Sequence, residues 1–91
     1  LLTFVCSENQ IQALDVKLNQ SLKHFICNDN NLTCIDMNNT NNFEIENSNF
    51  NSTNNPNLIC IQVDDVNYSE STWLNRDNQT SFSLNCNVDC I

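Results

Sequence analysis

Two stretches of the chain repeat one another, and they decide its fold. Residues 1–16 read LLTFVCSENQIQALDV and residues 22–37 read LKHFICNDNNLTCIDM. When the second stretch is aligned under the first, apolar side chains, an asparagine and an aspartate recur at the same positions. Both stretches fit the pattern L-x-x-L-x-L-x-x-N-x-L if Phe and Cys are accepted in place of Leu.

A third, degenerate copy follows an insertion. Its residues Phe50, Ser52 and Asn55 match the second copy in one register, and Leu58, Cys60, Ile61 and Val63 match it after one more inserted residue. We expect the inserted stretch that carries Phe43 and Ile45 to bulge outward or to add a short strand. Beyond Val63 we expect the periodicity to stop.

This periodicity predicts a leucine-rich-repeat solenoid, with short parallel strands on one side and an irregular convex side. We expect about three coils, over residues 1–21, 22–46 and 47–63, followed by a C-terminal cap over residues 64–91. Within the cap, Ser69 is expected to start a short helix that places Trp73 and Leu74 on its buried side. Trp73 would cover the last coil, and an exposed Trp73 that stacks on a ligand is the alternative.

Asparagine is expected to make the turns. The chain has twenty asparagines and no glycine, and asparagine enters left-handed backbone conformations more readily than most residues. An AT-rich genome would give the same bias, and the two explanations are compatible. Asn9, Asn30 and Asn55 fall where each strand ends. We expect their amides to stack as a ladder that bonds otherwise unpaired buried backbone groups.

The charge of the chain argues against nucleic acid as a partner. The net charge is -8, and only Lys17, Lys23 and Arg76 are available to neutralise phosphate. The same charge disfavours anionic lipid, and no apolar run is long enough to predict membrane insertion. We expect no metal and no cofactor, because His24 is the only histidine, no C-x-x-C pair occurs, and the carboxylates match no calcium loop. No catalytic motif appears, so the sequence predicts a protein that is not an enzyme.

Two segments resemble a known family. Residues 27–33 (CNDNNLT) and 54–66 (NNPNLICIQVDDV) are similar to the coils and cap of secreted leucine-rich-repeat proteins of the Bacteroidetes, especially marine flavobacteria. The resemblance extends over essentially the whole chain. It implies a secreted protein or one at the extracellular face of the outer membrane, often exported by type IX secretion, with a sorting domain beyond the cap.

The six cysteines favour disulfides and therefore an oxidising compartment. The resemblance implies that Cys60 pairs with Cys86. If that bridge forms, Cys34 and Cys90 remain as a second pair, whose connectivity stays open.

The outward strand positions form the predicted binding surface. Phe4, Cys6, Phe25 and Cys27 are expected to point inward. Both thiols are expected to be free and buried, with a disulfide between them as the alternative. Side chains between these positions stand on the concave face, namely Thr3, Val5, Ser7, His24, Ile26, Asn28, Asn49, Asn51 and Thr53.

Two non-catalytic functions follow from this surface and from the first repeat. The concave face predicts binding of a protein or a glycan, and the alternative for these residues is a solvated sheet face. The other function is a structural subunit or spacer docked in a larger surface or secretion-associated assembly. It is favoured because Leu1 begins inside a repeat, so we expect upstream coils, a neighbouring chain or another copy to cover the Leu1 end.

Overall fold

A computed structural model describes residues 3–38 and 42–87. Its strands are β1 (Thr3–Val5), β2 (Ala13–Asp15), β3 (His24–Ile26), β4 (Cys34–Met37), β5 (Phe50–Asn51), β6 (Cys60–Val63) and β7 (Ser81–Ser83). Two 3-10 helices, Asn42–Glu44 and Asn47–Asn49, lie between β4 and β5. Helix α1 (Val66–Thr72) lies between β6 and β7.

The strands form two parallel sheets, between which the chain alternates. Sheet A has the order β1-β3-β5, and sheet B has the order β2-β4-β6-β7. Every described strand pair in both sheets is parallel. Parallel strands were predicted for one side of the repeats, and sheet A confirms them. Sheet B was not predicted.

The strand register follows the alignment of the sequence repeats. Between the first two repeats, Phe4 pairs with Phe25 and Leu14 with Ile35, as the repeat predicts. The third repeat continues both sheets, with Phe25 opposite Phe50 and Ile35 opposite Ile61, so the extra inserted residue lies between the two sheets.

Sheet B extends one position beyond the third repeat. Ile61 lies opposite Phe82, at the same spacing along the chain that separates the first two repeats. The prediction that the periodicity stops at Val63 is therefore wrong, because Phe82 supplies one more buried strand position.

An aromatic stack runs through the core behind sheet A. The ring centroids of Phe4 and Phe25 lie 5.8 Å apart, those of Phe25 and Phe50 6.0 Å, and those of Phe50 and Trp73 4.4 Å. Trp73 is fully buried, and its Nε1–H donates to the carbonyl of Ile45 at 2.8 Å. Trp73 therefore covers the end of the stack, as predicted, and the alternative of an exposed Trp73 is wrong.

Helix α1 begins earlier in the chain than expected. The side chain of Asp65 accepts from the Tyr68 N–H at 3.0 Å and is the N-cap. Ser69 lies inside the helix, is buried, and donates from Oγ to the Asp65 carbonyl at 2.8 Å. Leu74 follows the C-cap Trp73 and is 61% exposed. The predicted Ser69 cap and the predicted burial of Leu74 are both wrong, because the chain has already turned off β6 at Asp65.

The insertion fastens α1 to the repeats. It forms the two 3-10 helices and no extra strand among the described residues, with Ile45 fully buried and Phe43 exposed. The Ile45 carbonyl accepts from Tyr68 Oη as well as from Trp73, each at 2.8 Å.

Buried Asn42 adds a second connection between the insertion and the segment before α1. Its Nδ2 donates to the Met37 carbonyl, and its Oδ1 accepts the Asp64 N–H, both at 2.8 Å. These contacts satisfy backbone groups that the longer connection would otherwise bury without partners.

The asparagine ladder joins consecutive repeats. Nδ2 of Asn30 donates to the carbonyl of Cys27 in its own repeat and to that of Cys6 in the preceding one, both at 3.1 Å. Its Oδ1 accepts the Ile11 N–H at 3.2 Å. The amide of Asn55 makes the corresponding bonds one repeat later, to Ser52 O, Cys27 O and Leu32 N. The predicted ladder is confirmed.

Left-handed turns recur beside the ladder. The angle φ is 60° at Glu8, Asp29 and Asn54, which occupy equivalent positions in three repeats, and 61° at Asn87. Asparagine therefore makes two of these turns, while acidic residues make the other two. A polar side chain that bonds locally makes this region accessible to residues other than glycine.

The predicted bridge between Cys60 and Cys86 is present. The two Cα atoms lie 5.9 Å apart, and the pair encloses α1 and β7 with a sequence separation of 26. Cys34 is buried in β4, and Cys90 lies outside the described residues, so the second predicted bridge stays a prediction.

Substitution of Asn55 by alanine is expected to destabilise the fold by about 3 kcal/mol, because the buried Ser52 carbonyl loses its donor and the buried Leu32 N–H loses its acceptor. Asn31→Ala is the matched control, since Asn31 is exposed and its side chain carries no hydrogen bond among the described residues. Urea unfolding of both variants measures the difference. An Asn55→Ala protein as stable as the control would contradict the ladder.

The double variant Cys60→Ser/Cys86→Ser is expected to lose about 3.5 kcal/mol of unfolding free energy, because the unfolded chain regains the freedom that the bridge removes. Cys6→Ser serves as control for loss of a free thiol. Urea midpoints under non-reducing conditions make the comparison. Equal midpoints for the two proteins would show that the bridge does not stabilise the fold.

Candidate binding face

The outward positions of sheet A lie on one side of the molecule. We call this surface face A and define it by the nine predicted residues, Thr3, Val5, Ser7, His24, Ile26, Asn28, Asn49, Asn51 and Thr53. Each is exposed or half-buried, whereas the intervening Phe25, Cys27 and Phe50 are fully buried. The predicted alternation is confirmed along β1 and β3, whereas Asn49, which was predicted on a strand, ends the second 3-10 helix directly before β5. Whether these residues bind a ligand stays a prediction.

The register aligns face A into three rows. Thr3 lies opposite His24, and Val5 lies opposite Ile26, which is itself paired with Asn51. Backbone bonds continue the alignment past the strand ends, from Glu8 N to Asn28 O and from Asp29 N to Thr53 O, both 3.0 Å long. Since neighbouring strands lie about 4.8 Å apart, residues far apart in sequence become immediate neighbours.

The central row combines apolar surface with one polar group. Val5 is 60% exposed and Ile26 half-buried. Beside them, Oδ1 of Asn51 accepts from the N–H and from Oγ1 of Thr53, at 3.0 and 2.7 Å. These bonds fix the carboxamide of half-buried Asn51, whose Nδ2 has no hydrogen-bond partner among the described residues. In the flanking row, Oγ1 of Thr3 lies 3.5 Å from Nδ1 of His24.

Carboxylates border face A at the end of its strands. Asp29 accepts from the side chain of Asn28, a face A residue, and from Nδ2 of Asn54 at 2.9 Å. Glu8 occupies the equivalent turn one repeat earlier and lines the same depression as Asp29. Asp77 accepts the Asn54 N–H at 3.0 Å and thereby continues the border. We call Glu8, Asp29 and Asp77 the acidic edge.

Sequence reasoning missed the acidic edge. The equivalence of Glu8 and Asp29 was visible in the alignment of the first two repeats. The position of Asp77 was not, because it depends on the loop after Trp73 folding back onto the turn at Asn54.

The basic side chains lie elsewhere. Lys17 pairs with Asp15 at 3.4 Å, and Lys23 pairs with Glu44 at 3.9 Å. Arg76 donates to the Trp73 carbonyl at 2.7 Å and lies over the ring of Phe82, 5.0 Å from its centroid. These three are all the lysines and arginines of the chain, so none forms an ion pair with the acidic edge in the described structure.

Two free thiols lie behind face A. Burial raises the pKa of Cys6, and burial together with the nearby Cys6 raises the pKa of Cys27 well above its ordinary range. A reactive cysteine requires the opposite shift. Both thiols are free, as predicted, so the alternative disulfide between them is wrong; Cys27 is buried as predicted, but Cys6 is only half-buried. Ser52 occupies the equivalent position in the third repeat, where its buried Oγ has no hydrogen-bond partner among the described residues.

Within residues 3–38 and 42–87, no three His, Cys, Asp or Glu side chains come together as a metal site requires. No helix of that part has both the length and the apolar character to cross a membrane.

Comparisons with protein-family models, curated proteins and solved structures give no match for this chain.

Alkylation of the native protein by iodoacetamide is expected to be slow at Cys6 and negligible at Cys27 near pH 8, because the raised pKa of each thiol lowers its thiolate fraction. Unfolding in urea is expected to make both react. The Cys27 thiol ionises at a lower pH in the unfolded chain than in the folded protein. The free energy of unfolding therefore falls as the pH rises above the ordinary pKa of a thiol. Mass spectrometry of peptides reports each site, and rapid native labelling of Cys27 would contradict its burial.

Proposed function

We propose that this chain is the C-terminal part of a leucine-rich-repeat solenoid of the secreted Bacteroidetes type, and that face A binds a protein or glycan ligand without catalysis. The agreement between the repeat alignment and the strand register supports the solenoid. The asparagine ladder supports it too, because each rung needs a neighbouring repeat at a fixed position.

One observation carries the binding function. Face A is a continuous sheet surface on which Thr3, Val5 and His24 are exposed, with Val5 presenting 60% of its area to solvent. The aligned rows offer an apolar centre with hydroxyl, imidazole and amide groups around it. Such a mixture suits a ligand that combines polar groups with a hydrocarbon surface.

The proposed location is outside the cell or at the extracellular face of the outer membrane, with type IX secretion as the proposed route. The bridge between Cys60 and Cys86 supports this location, because disulfides persist mainly in oxidising compartments.

A structural role is the second candidate, and a difference between repeats favours it. Four apolar side chains of the first repeat are half-buried, whereas their equivalents in the second repeat are buried. The half-buried set is Phe4, Cys6, Ile11 and Leu14, and the buried set is Phe25, Cys27, Leu32 and Ile35. The apolar side of β1 and β2 is therefore open to packing by a neighbouring chain or another coil at the Leu1 end. Leu1 itself lies outside the described residues.

Methyl NMR on the full chain tests the first candidate. We expect a ligand from a panel of glycans and extended peptides to shift the methyl signals of Val5 and Ile26. Val5→Ser is expected to weaken its binding about tenfold, through loss of buried apolar area. Leu18→Ser is the matched control, since Leu18 is 87% exposed and belongs to no row of face A.

Ligand-induced shifts that leave Val5 and Ile26 unchanged for every ligand in the panel would exclude face A as the binding surface. Sedimentation of the same sample tests the second candidate, which requires association through the open apolar side of β1 and β2. An assembly through that apolar side that persists in the Val5→Ser variant would favour the structural role.

A further inference from the structure

We propose that the ligand of face A is an extended basic polypeptide segment with lysine or arginine at every second position. This inference rests on the proposed function of face A and names its partner class. The acidic edge, which borders face A, is the feature that selects a basic ligand.

The charge around face A is one-sided. Glu8, Asp29 and Asp77 lie at one end of the strands, and the three basic side chains of the protein are engaged elsewhere. Adjacent repeats are about 4.8 Å apart, so these carboxylates are separated by less than about two Debye lengths at physiological salt. Their potentials add, and the contacts that Asp29 and Asp77 accept come from neutral amide donors.

The apolar row suits the stem of a basic side chain. Val5 and Ile26 lie about three residues along the strands from the acidic edge, or roughly 10 Å. A lysine side chain that lies on them would keep its methylene groups on apolar surface while its ammonium group reaches toward the carboxylates. The surface therefore contacts both the apolar stem and the charged end of a lysine side chain. A short neutral side chain would not reach the carboxylates.

An extended chain that crosses the repeats of face A turns alternate side chains to opposite sides. Side chains on one side of such a segment would meet the acidic edge, and those on the other would meet the row of Thr3 and His24. Nδ2 of Asn51 lies between the two borders as a donor for a backbone carbonyl of the ligand.

Fluorescence anisotropy with three synthetic peptides tests the proposal on the full chain. Alanine alternates with lysine in the first, with serine in the second and with glutamate in the third, each about eight residues long. We expect the lysine peptide to bind tightest and to weaken between about 50 mM and about 300 mM salt, as screening of surface charges requires.

Two matched pairs of variants locate the site. Glu8→Gln is expected to weaken binding of the lysine peptide about two- to fivefold, within the usual range for an exposed ion pair. Glu70→Gln removes the same charge from an exposed helix residue and is expected to leave affinity unchanged. Val5→Ser is expected to weaken binding as well, with Leu18→Ser as its control.

The outcomes separate this inference from the proposed function. Equal losses of affinity for the lysine peptide in Glu8→Gln and Glu70→Gln would show that net charge alone attracts the peptide. That result would overturn the proposed role of the acidic edge. Tighter binding of the serine or glutamate peptide, or a saturable site for calcium chloride alone that requires Glu8, would also overturn it. If none of the peptides binds but a glycan shifts the Val5 and Ile26 methyls, the basic ligand is wrong and the function of face A stands.

Discussion

The carboxamides of Asn30 and Asn55 connect consecutive repeats because each donates to carbonyl groups on both sides of a repeat boundary. Where the chain turns off a strand of sheet A, these carbonyls point into the core, and leaving them unpaired would cost roughly 1–3 kcal/mol each. The ladder ends where Asp77 accepts the N–H groups of Asn54 and Asn55, in the position that a further repeat would fill. The Asp77 carboxylate thereby gives both backbone N–H groups of the last turn a hydrogen-bond acceptor.

The hydrogen bonds of the asparagine ladder determine which side chains lie on each surface of sheet A. Because every repeat is held at the same register, the inward aromatic rings stack and Trp73 closes the stack above Phe50. The same register aligns the outward residues into the rows of face A and places Glu8 and Asp29 side by side. The proposed binding surface is therefore a consequence of the packing, since its side chains are the ones that the core leaves on the other side.

The alignment of the first two repeats was sufficient to predict the parallel strands of sheet A, the ladder, the free thiols and the outward positions of β1 and β3. Sheet B was missed because Cys34 and Ile35 of β4 are adjacent apolar residues, which breaks the alternation expected of a strand. The strand at Phe82 was missed because a single apolar residue marks it. The N-cap was assigned to Ser69 although Asp65 precedes the helix, since local propensity does not show where the chain leaves β6. The acidic edge was missed because its third member, Asp77, reaches the turn at Asn54 only through the folding back of the loop after Trp73.

The central claim, that the repeats stack in parallel in the register of the sequence alignment, is tested most directly by NMR couplings across hydrogen bonds. The structure predicts a coupling from the Cys6 N–H to the Ile26 carbonyl and one from the Cys27 N–H to the Asn51 carbonyl, across bonds of 2.9 and 2.8 Å. Detection of both couplings would establish the register on each side of β3. Couplings that join either amide to a different repeat position, or an antiparallel pattern between β1 and β3, would contradict the account.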